Sequence, residues 1–279
     1  CLSVALMTVE AFFIPAPPGQ RLALLYRPAT TVTLRGALLQ VAPFAEEMNK
    51  SRRMLALQAR KLALAGFAVL QLDLLGCGDS SGDFGDTSWQ AWQDDVTLGY
   101  RWLQANFAVP LWIWGLRCGC LLANETVSRF DTSVNLLYWQ PVISGKQFLQ
   151  QFLRLKVAAE MIGSEGKGVM ERLRKDLQNG IPVEIAGYSL SPSLASGLET
   201  AELRPPAQVG CVEWFEISSR TDGALSPAAA ICVKKWQDAG LSVRTQVLSG
   251  SAFWQTAEIS ECPELLEATL QALSEVRSR

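Results

Sequence analysis

The spacing of apolar and polar positions changes several times along the chain, and each change predicts an element. Residues 8–15 alternate as a strand, Pro17-Pro18-Gly19 reads as a turn, and residues 21–27 alternate again, so the start predicts an antiparallel hairpin at a sheet edge. Gly36–Val41 (GALLQV) and Phe67–Leu72 (FAVLQL) are short, nearly continuous apolar runs, as buried strands are. Between them residues 51–65 have helical spacing, with Leu55, Ala59 and Leu62 on one face and Gly66 as the stop. Trp89, Trp92, Val96, Tyr100 and Leu103 form the stripe of another helix, with Thr87 or Ser88 as its cap. A strand at 110–114, a tight turn at 115–119, a helix at 120–127 and a strand at 134–138 follow.

This alternation predicts an α/β fold, a mostly parallel central sheet with helices on both faces. The middle of the chain breaks the rhythm. Residues 147–161 and 168–178 read as amphipathic helices, followed by the Gly/Ser/Pro-rich stretch GYSLSPSLASG. Residues 145–206 are therefore expected to be a lid inserted over the sheet, within one domain spanning 8–279. The sheet then resumes with a strand at 211–217, a helix at 228–239, a strand at 243–248 and a closing helix at 263–276, which has a proline near its start.

The composition, 49% hydrophobic and 19% charged over 279 residues, provides for a sizeable core. A net charge of −2 leaves no basic excess and argues against nucleic acid as a partner. No uncharged apolar run reaches about 18 residues, so no membrane span is expected. The N-terminal apolar run has no Lys or Arg before it and is interrupted by Glu10, which makes a poor signal peptide; Met7 reads as a start. Seven scattered cysteines without metal-binding spacing suggest a reducing, cytoplasmic setting. Neither a metal nor a cofactor is expected. The acidic loop holding Asp79, Asp83 and Asp86 lacks the spacing of a calcium loop.

Two glycine-rich turns carry the chemistry. One is Asp73-Leu-Leu-Gly76-Cys-Gly78-Asp-Ser80, directly after a buried strand. The other is Gly115-Leu116-Arg117-Cys118-Gly119, between a strand and a helix. The second is the setting of a nucleophile elbow, where two glycines let a sharp turn expose the central side chain. Together with PFAEEMNKSRRM (43–54), DLLGCGDSSGDFGD (73–86), WGLRCG (114–119) and WQPV (139–142), they make the chain resemble the α/β-hydrolase superfamily over nearly its whole length. More narrowly it resembles the exosortase A system-associated hydrolase 2 group. The resemblance implies a bacterial exopolysaccharide and protein-sorting setting, and hydrolase activity of undefined substrate.

The residues do not match that chemistry. Arg117 occupies the elbow position of the nucleophile, and a guanidinium cannot attack a carbonyl. The chain has no histidine. Where the resemblance puts one, in Gly250-Ser-Ala-Phe253, stands Phe253, followed by Trp254. The acid position corresponds to Asp222. A Ser-His-Asp triad is therefore impossible, and the chain reads as catalytically degenerate, binding a ligand or a partner. Cys118 is a weak candidate nucleophile without a base, and Ser189 in GYSLS lacks the second glycine of a serine elbow. The expected pocket comprises Pro43, Phe44, Glu46, Glu47, Asp79, Arg117, Cys118, Asp222 and Trp254. Arg117 needs an opposite charge, from Asp222, Asp79, Glu46 or Glu47. The occupant is expected to be a small anionic or sugar-like ligand, or the insertion docks a protein partner of the sorting machinery. The alternative is an active hydrolase or acyltransferase of ester or thioester type, with a carboxylate- or cysteine-based site.

Overall fold

The computed structural model describes residues 7–161, 168–220 and 223–275. β1 (Met7–Pro15) and β2 (Gln20–Pro28) form the antiparallel edge hairpin. β3 (Gly36–Val41), α1 (Glu46–Leu64), β4 (Phe67–Leu72), α2 (Trp89–Asn106), β5 (Leu111–Leu116), α3 (Cys118–Val127) and β6 (Val134–Trp139) follow in strict alternation of strand and helix. After the insertion come β9 (Val209–Ile217), α7 (Pro227–Asp238), β10 (Ser242–Leu248) and α8 (Pro263–Glu275). The eight-stranded sheet runs β1-β2-β4-β3-β5-β6-β9-β10, parallel from β4 onward. α2, α3 and α7 cover one face around Leu39, Ile113 and Trp236; α1 and α8 cover the other around Leu38, Trp114 and Trp139. The predicted elements agree with these, and most differ only at their ends. α1 begins at Glu46, five residues earlier than its apolar stripe indicates, with Glu46 and Glu47 favourably placed in its positive first turn.

The hairpin is tied to the body by a buried ion pair. Arg21 is 1% exposed and its Nε donates to Asp95 Oδ1 at 2.8 Å, while its Nη1 donates to the Pro18 carbonyl at 2.9 Å. Asp95, on α2, also accepts the Leu75 amide at 2.6 Å. One carboxylate thus joins the hairpin, α2 and the loop after β4. Ser88 caps α2 by accepting the Ala91 amide at 3.0 Å. Ser88→Ala is expected to cost about 1 kcal/mol, read as a fall of a few degrees in the melting temperature.

Between β6 and β9 the chain leaves the sheet as α4 (Gly145–Met161), α5 (Val169–Gln178), the hairpin β7 (Val183–Ile185) and β8 (Tyr188–Leu190), and α6 (Pro192–Thr200). Its two ends meet: Gly145 donates to Ala201 at 2.9 Å and Leu203 to Ile143 at 3.0 Å. α6 lies against α2 so closely that a side chain at Gly197 would collide with Trp89. The GYSLSPSLASG stretch, which composition marks as irregular, is ordered by local chemistry. Ala186 (φ 50°) and Gly187 (φ 84°) form the left-handed two-residue turn that closes β7 and β8. Ser191 then caps α6, accepting the Leu194 amide at 3.1 Å, with Pro192 in the first helical turn. No helix among the described residues is long and apolar enough to cross a membrane.

Candidate functional site

The site is built at the carboxyl end of β5. Leu116 ends the strand, Arg117 adopts φ 55° and ψ −121°, and Cys118 opens α3. This turn is possible because two glycines flank it. A Cβ at Gly115 would lie 2.6 Å from Cys120 Cα; one at Gly119 would collide with the Val41 carbonyl oxygen and sit 2.7 Å from that of Ala42. The start of α3 therefore presses directly on the loop after β3. That loop makes a second bend of nearly the same shape at Ala45 (φ 51°, ψ −126°), which leads into α1. Neither helix start is capped by a side chain.

Glu47 is the partner of Arg117. Its Oε1 accepts a hydrogen bond from Nε at 3.1 Å, and Nη2 lies at the same distance from it as the charged contact. The guanidinium also lies over the rings of Trp254, 5.4 Å from the centroid, and Phe148, at 5.9 Å. Of the other proposed partners, Glu46 is engaged elsewhere, Asp79 is exposed and Asp222 is not described. The Glu46 carboxylate accepts from Tyr188 Oη at 3.1 Å and Asn49 Nδ2 at 3.0 Å, which fastens the β7–β8 hairpin to α1. Asp79 is exposed in the loop after β4 and is not among the residues lining the cavity around Arg117, a departure from the predicted pocket. Asp222 lies outside the described residues.

Burial pushes the Glu47 carboxyl above its usual value, outweighing the charge and hydrogen bonds of Arg117; its Oε2 is buried without a partner. The folded protein therefore holds a proton at Glu47 more readily than the unfolded chain does. As pH rises from the ordinary carboxylate range through the folded value, stability from this group falls. Glu47→Gln keeps an acceptor for Arg117 and removes the buried charge. Its melting temperature at pH 7 is expected to equal or exceed that of the wild type, with the difference closing as pH falls to about 4. A loss of several degrees at pH 7 would show instead that the ion pair is a net stabiliser.

An open cavity of about 320 Å³ surrounds the pair. Phe44, Phe148, Phe152 and Trp254 give it aromatic walls, and Leu155, half exposed, stands on its α4 side. Its charged residues are Glu46, Glu47, Lys50 and Arg117, which sum to neutrality. Of the predicted pocket residues, the structure brings together Phe44, Glu46, Glu47, Arg117 and Trp254. Pro43 and Cys118 face a tight apolar void of about 10 Å³ behind the elbow, beside Cys77 and Trp92. Burial and the nearby Glu47 carboxylate push the Cys118 thiol far up, which disfavours a thiolate. Phe253 is fully buried edge-on to Trp139, so the side chain of this segment that meets Arg117 is Trp254. Ser189 lies in β8, exposed, and Ser191 is a helix cap. Lys50, Gln151, Gln255 and the α4 side chains Phe148, Phe152 and Leu155 also line the cavity, and none of them is among the predicted pocket residues. The last three recur at i, i+4 and i+7, a stripe that marks one face of α4.

No protein-family model and no curated protein sequence matches the chain. Solved structures do. The chain is similar to Est1E from Butyrivibrio proteoclasticus, solved with bound ferulic acid, with a TM-score of 0.67 at 14% identity over 96% of this chain and 98% of that one. It is similar to a monoglyceride lipase from Saccharomyces cerevisiae, with a TM-score of 0.63 at 13% identity over 98% and 97%. An a/b serine hydrolase without lid from Xanthomonas campestris gives 0.57 at 15% identity over 95% and 93%. At these identities the likeness shows the fold alone.

Proposed function

We propose that this chain, which has the α/β-hydrolase fold, is a degenerate hydrolase that binds a neutral, amphipathic, sugar-like ligand in the cavity over its elbow. The observation that carries the reading is the cation at the apex. Arg117 is held by Glu47 and stacked on Trp254 in a chain without histidine. There is neither an attacking oxygen at the bend nor an imidazole to take its proton. The guanidinium turns two of its nitrogens to Glu47 and its face to two rings, which leaves little of it for an incoming carboxylate. Neutral lining charge and aromatic walls favour a ring or chain with hydroxyl groups over an anion.

Two measurements test this. With p-nitrophenyl esters the pure protein is expected to show no turnover above buffer, as loss of Ser and His costs on the order of 10⁶. In titrations below micelle formation, octyl glucoside is expected to change tryptophan fluorescence saturably, octyl sulfate at least about tenfold more weakly, and Trp254→Ala to weaken the glucoside about tenfold. Ester turnover abolished by a pocket substitution overturns the proposal. A second reading, an active ester or thioester hydrolase or acyltransferase using Glu47 as base, is favoured by the raised carboxyl alone; it predicts that Glu47→Gln kills a measurable activity. The setting that the segment resemblance implies, an exosortase and exopolysaccharide system, agrees with a saccharide ligand. The cysteines among the described residues are free thiols, which supports a reducing, cytoplasmic compartment.

A further inference from the structure

A second cavity, of about 140 Å³, lies on the other side of the first turns of α1, between that helix and β2, β3 and β4. Its chemistry follows from the sheet register. Gln71 on β4 stands beside Gln40 on β3, and both side chains share the face covered by α1. Gln40 is 4% exposed, and its Nε2 has no hydrogen-bond partner. A buried amide donor left without a partner is costly, and beside a cavity it is a donor an occupant can satisfy. At the carboxyl end of β4, Asp73 and Arg52 complete the lining, 3.8 Å apart. Leu22 and Leu24 on β2, the latter paired with Gln71, and Leu55 on α1 give it a leucine wall.

We propose that this cavity is a binding site for a small polyol of three or four carbons. Three features select that class. The one carboxylate and one guanidinium balance, so neither a bare cation nor a bare anion matches the lining. The two carboxamides each offer a donor and an acceptor, which is the pairing a hydroxyl group satisfies. The leucine wall faces the C–H side of such a molecule. The volume, about 140 Å³, admits a molecule of three or four carbons with their hydroxyls. The site is separate from the aromatic cavity over the elbow, which shares none of these four polar residues.

Saturation-transfer NMR on the full chain, with erythritol as probe and 1-butanol as its hydroxyl-poor counterpart, tests the assignment. Wild type is expected to give a saturable erythritol signal and none with 1-butanol. Gln40→Met is expected to lose erythritol binding at least about tenfold while keeping or raising the melting temperature, because it replaces an orphaned amide with an apolar side chain of similar size. Gln71→Met weakens binding as well, and Trp254→Ala leaves it unchanged. The octyl glucoside response of Gln40→Met stays at the wild-type level, so failure at one cavity is read independently of the other. No saturable erythritol signal up to about 100 mM, well above the millimolar affinity expected of so small a ligand, overturns the proposal. So does binding that survives Gln40→Met, or a Gln40→Met protein that melts several degrees lower or does not fold, since the amide is then a structural partner.

Discussion

Asp95→Ala is expected to destabilise the fold by about 3–5 kcal/mol, the loss typical of removing one member of a buried ion pair. Asp95 is 3% exposed and Arg21 1% exposed, so water cannot replace the missing carboxylate without opening the hairpin. Three links fail together: the 2.8 Å bond to Arg21, the 2.6 Å bond from the Leu75 amide, and through Arg21 the hold on the turn carbonyl of Pro18. Chemical denaturation is the measurement. The midpoint should fall with little change in slope if β1 and β2 remain part of the cooperative unit. The pair Arg21→Met with Asp95→Leu should recover most of the loss, because it leaves no unpaired charge and strands only the Leu75 amide. Equal instability of the single and double variants would show that apolar packing under the hairpin, and not the charge, decides the stability.

The same contrast between pattern and partner explains what the sequence reveals. Strands such as Phe67–Leu72 and Leu111–Leu116 are legible because every residue of a doubly covered strand must be apolar or nearly so. The elbow is legible because only glycine fits at 115 and 119, and two glycines at that spacing between strand and helix have few other uses. The partner of Arg117 is not. Glu46 and Glu47 are adjacent and chemically alike, and which of them turns to Arg117 depends on the bend at Ala45 and on Tyr188 engaging Glu46 from a hairpin 142 residues away. Gln40 and Gln71 are likewise silent in the sequence. Each interrupts an apolar strand once, and only the register that sets them side by side beneath α1 turns two interruptions into a polar cavity. The order within 188–200 was hidden for another reason. Composition marks serine, proline and glycine as loop formers, yet one serine in a capping position and one proline after it start a helix.

Gly119→Ala tests how far fold and site depend on one contact. The added methyl would meet the carbonyl oxygens of Val41 and Ala42, both backbone atoms of the strand end and loop that carry Phe44 and lead into α1. Neither can swing aside as a long side chain does, so α3 or the loop must move bodily. Overpacking of this kind costs about 3 kcal/mol. The displacement should also shift Glu47 from its 3.1 Å contact with Arg117. Octyl glucoside binding is therefore expected to weaken by at least about tenfold under conditions where the variant remains folded, although residue 119 lies outside the lining of the aromatic cavity. Gly115→Ala, which crowds Cys120 Cα at 2.6 Å and not the loop, should destabilise comparably while disturbing the ligand less. If both variants lose stability equally and both bind as wild type does, the elbow serves only to pack α3 on the sheet. If only Gly119→Ala loses the ligand, the close approach of α3 to the loop after β3 shapes the aromatic cavity as well as packing the helix.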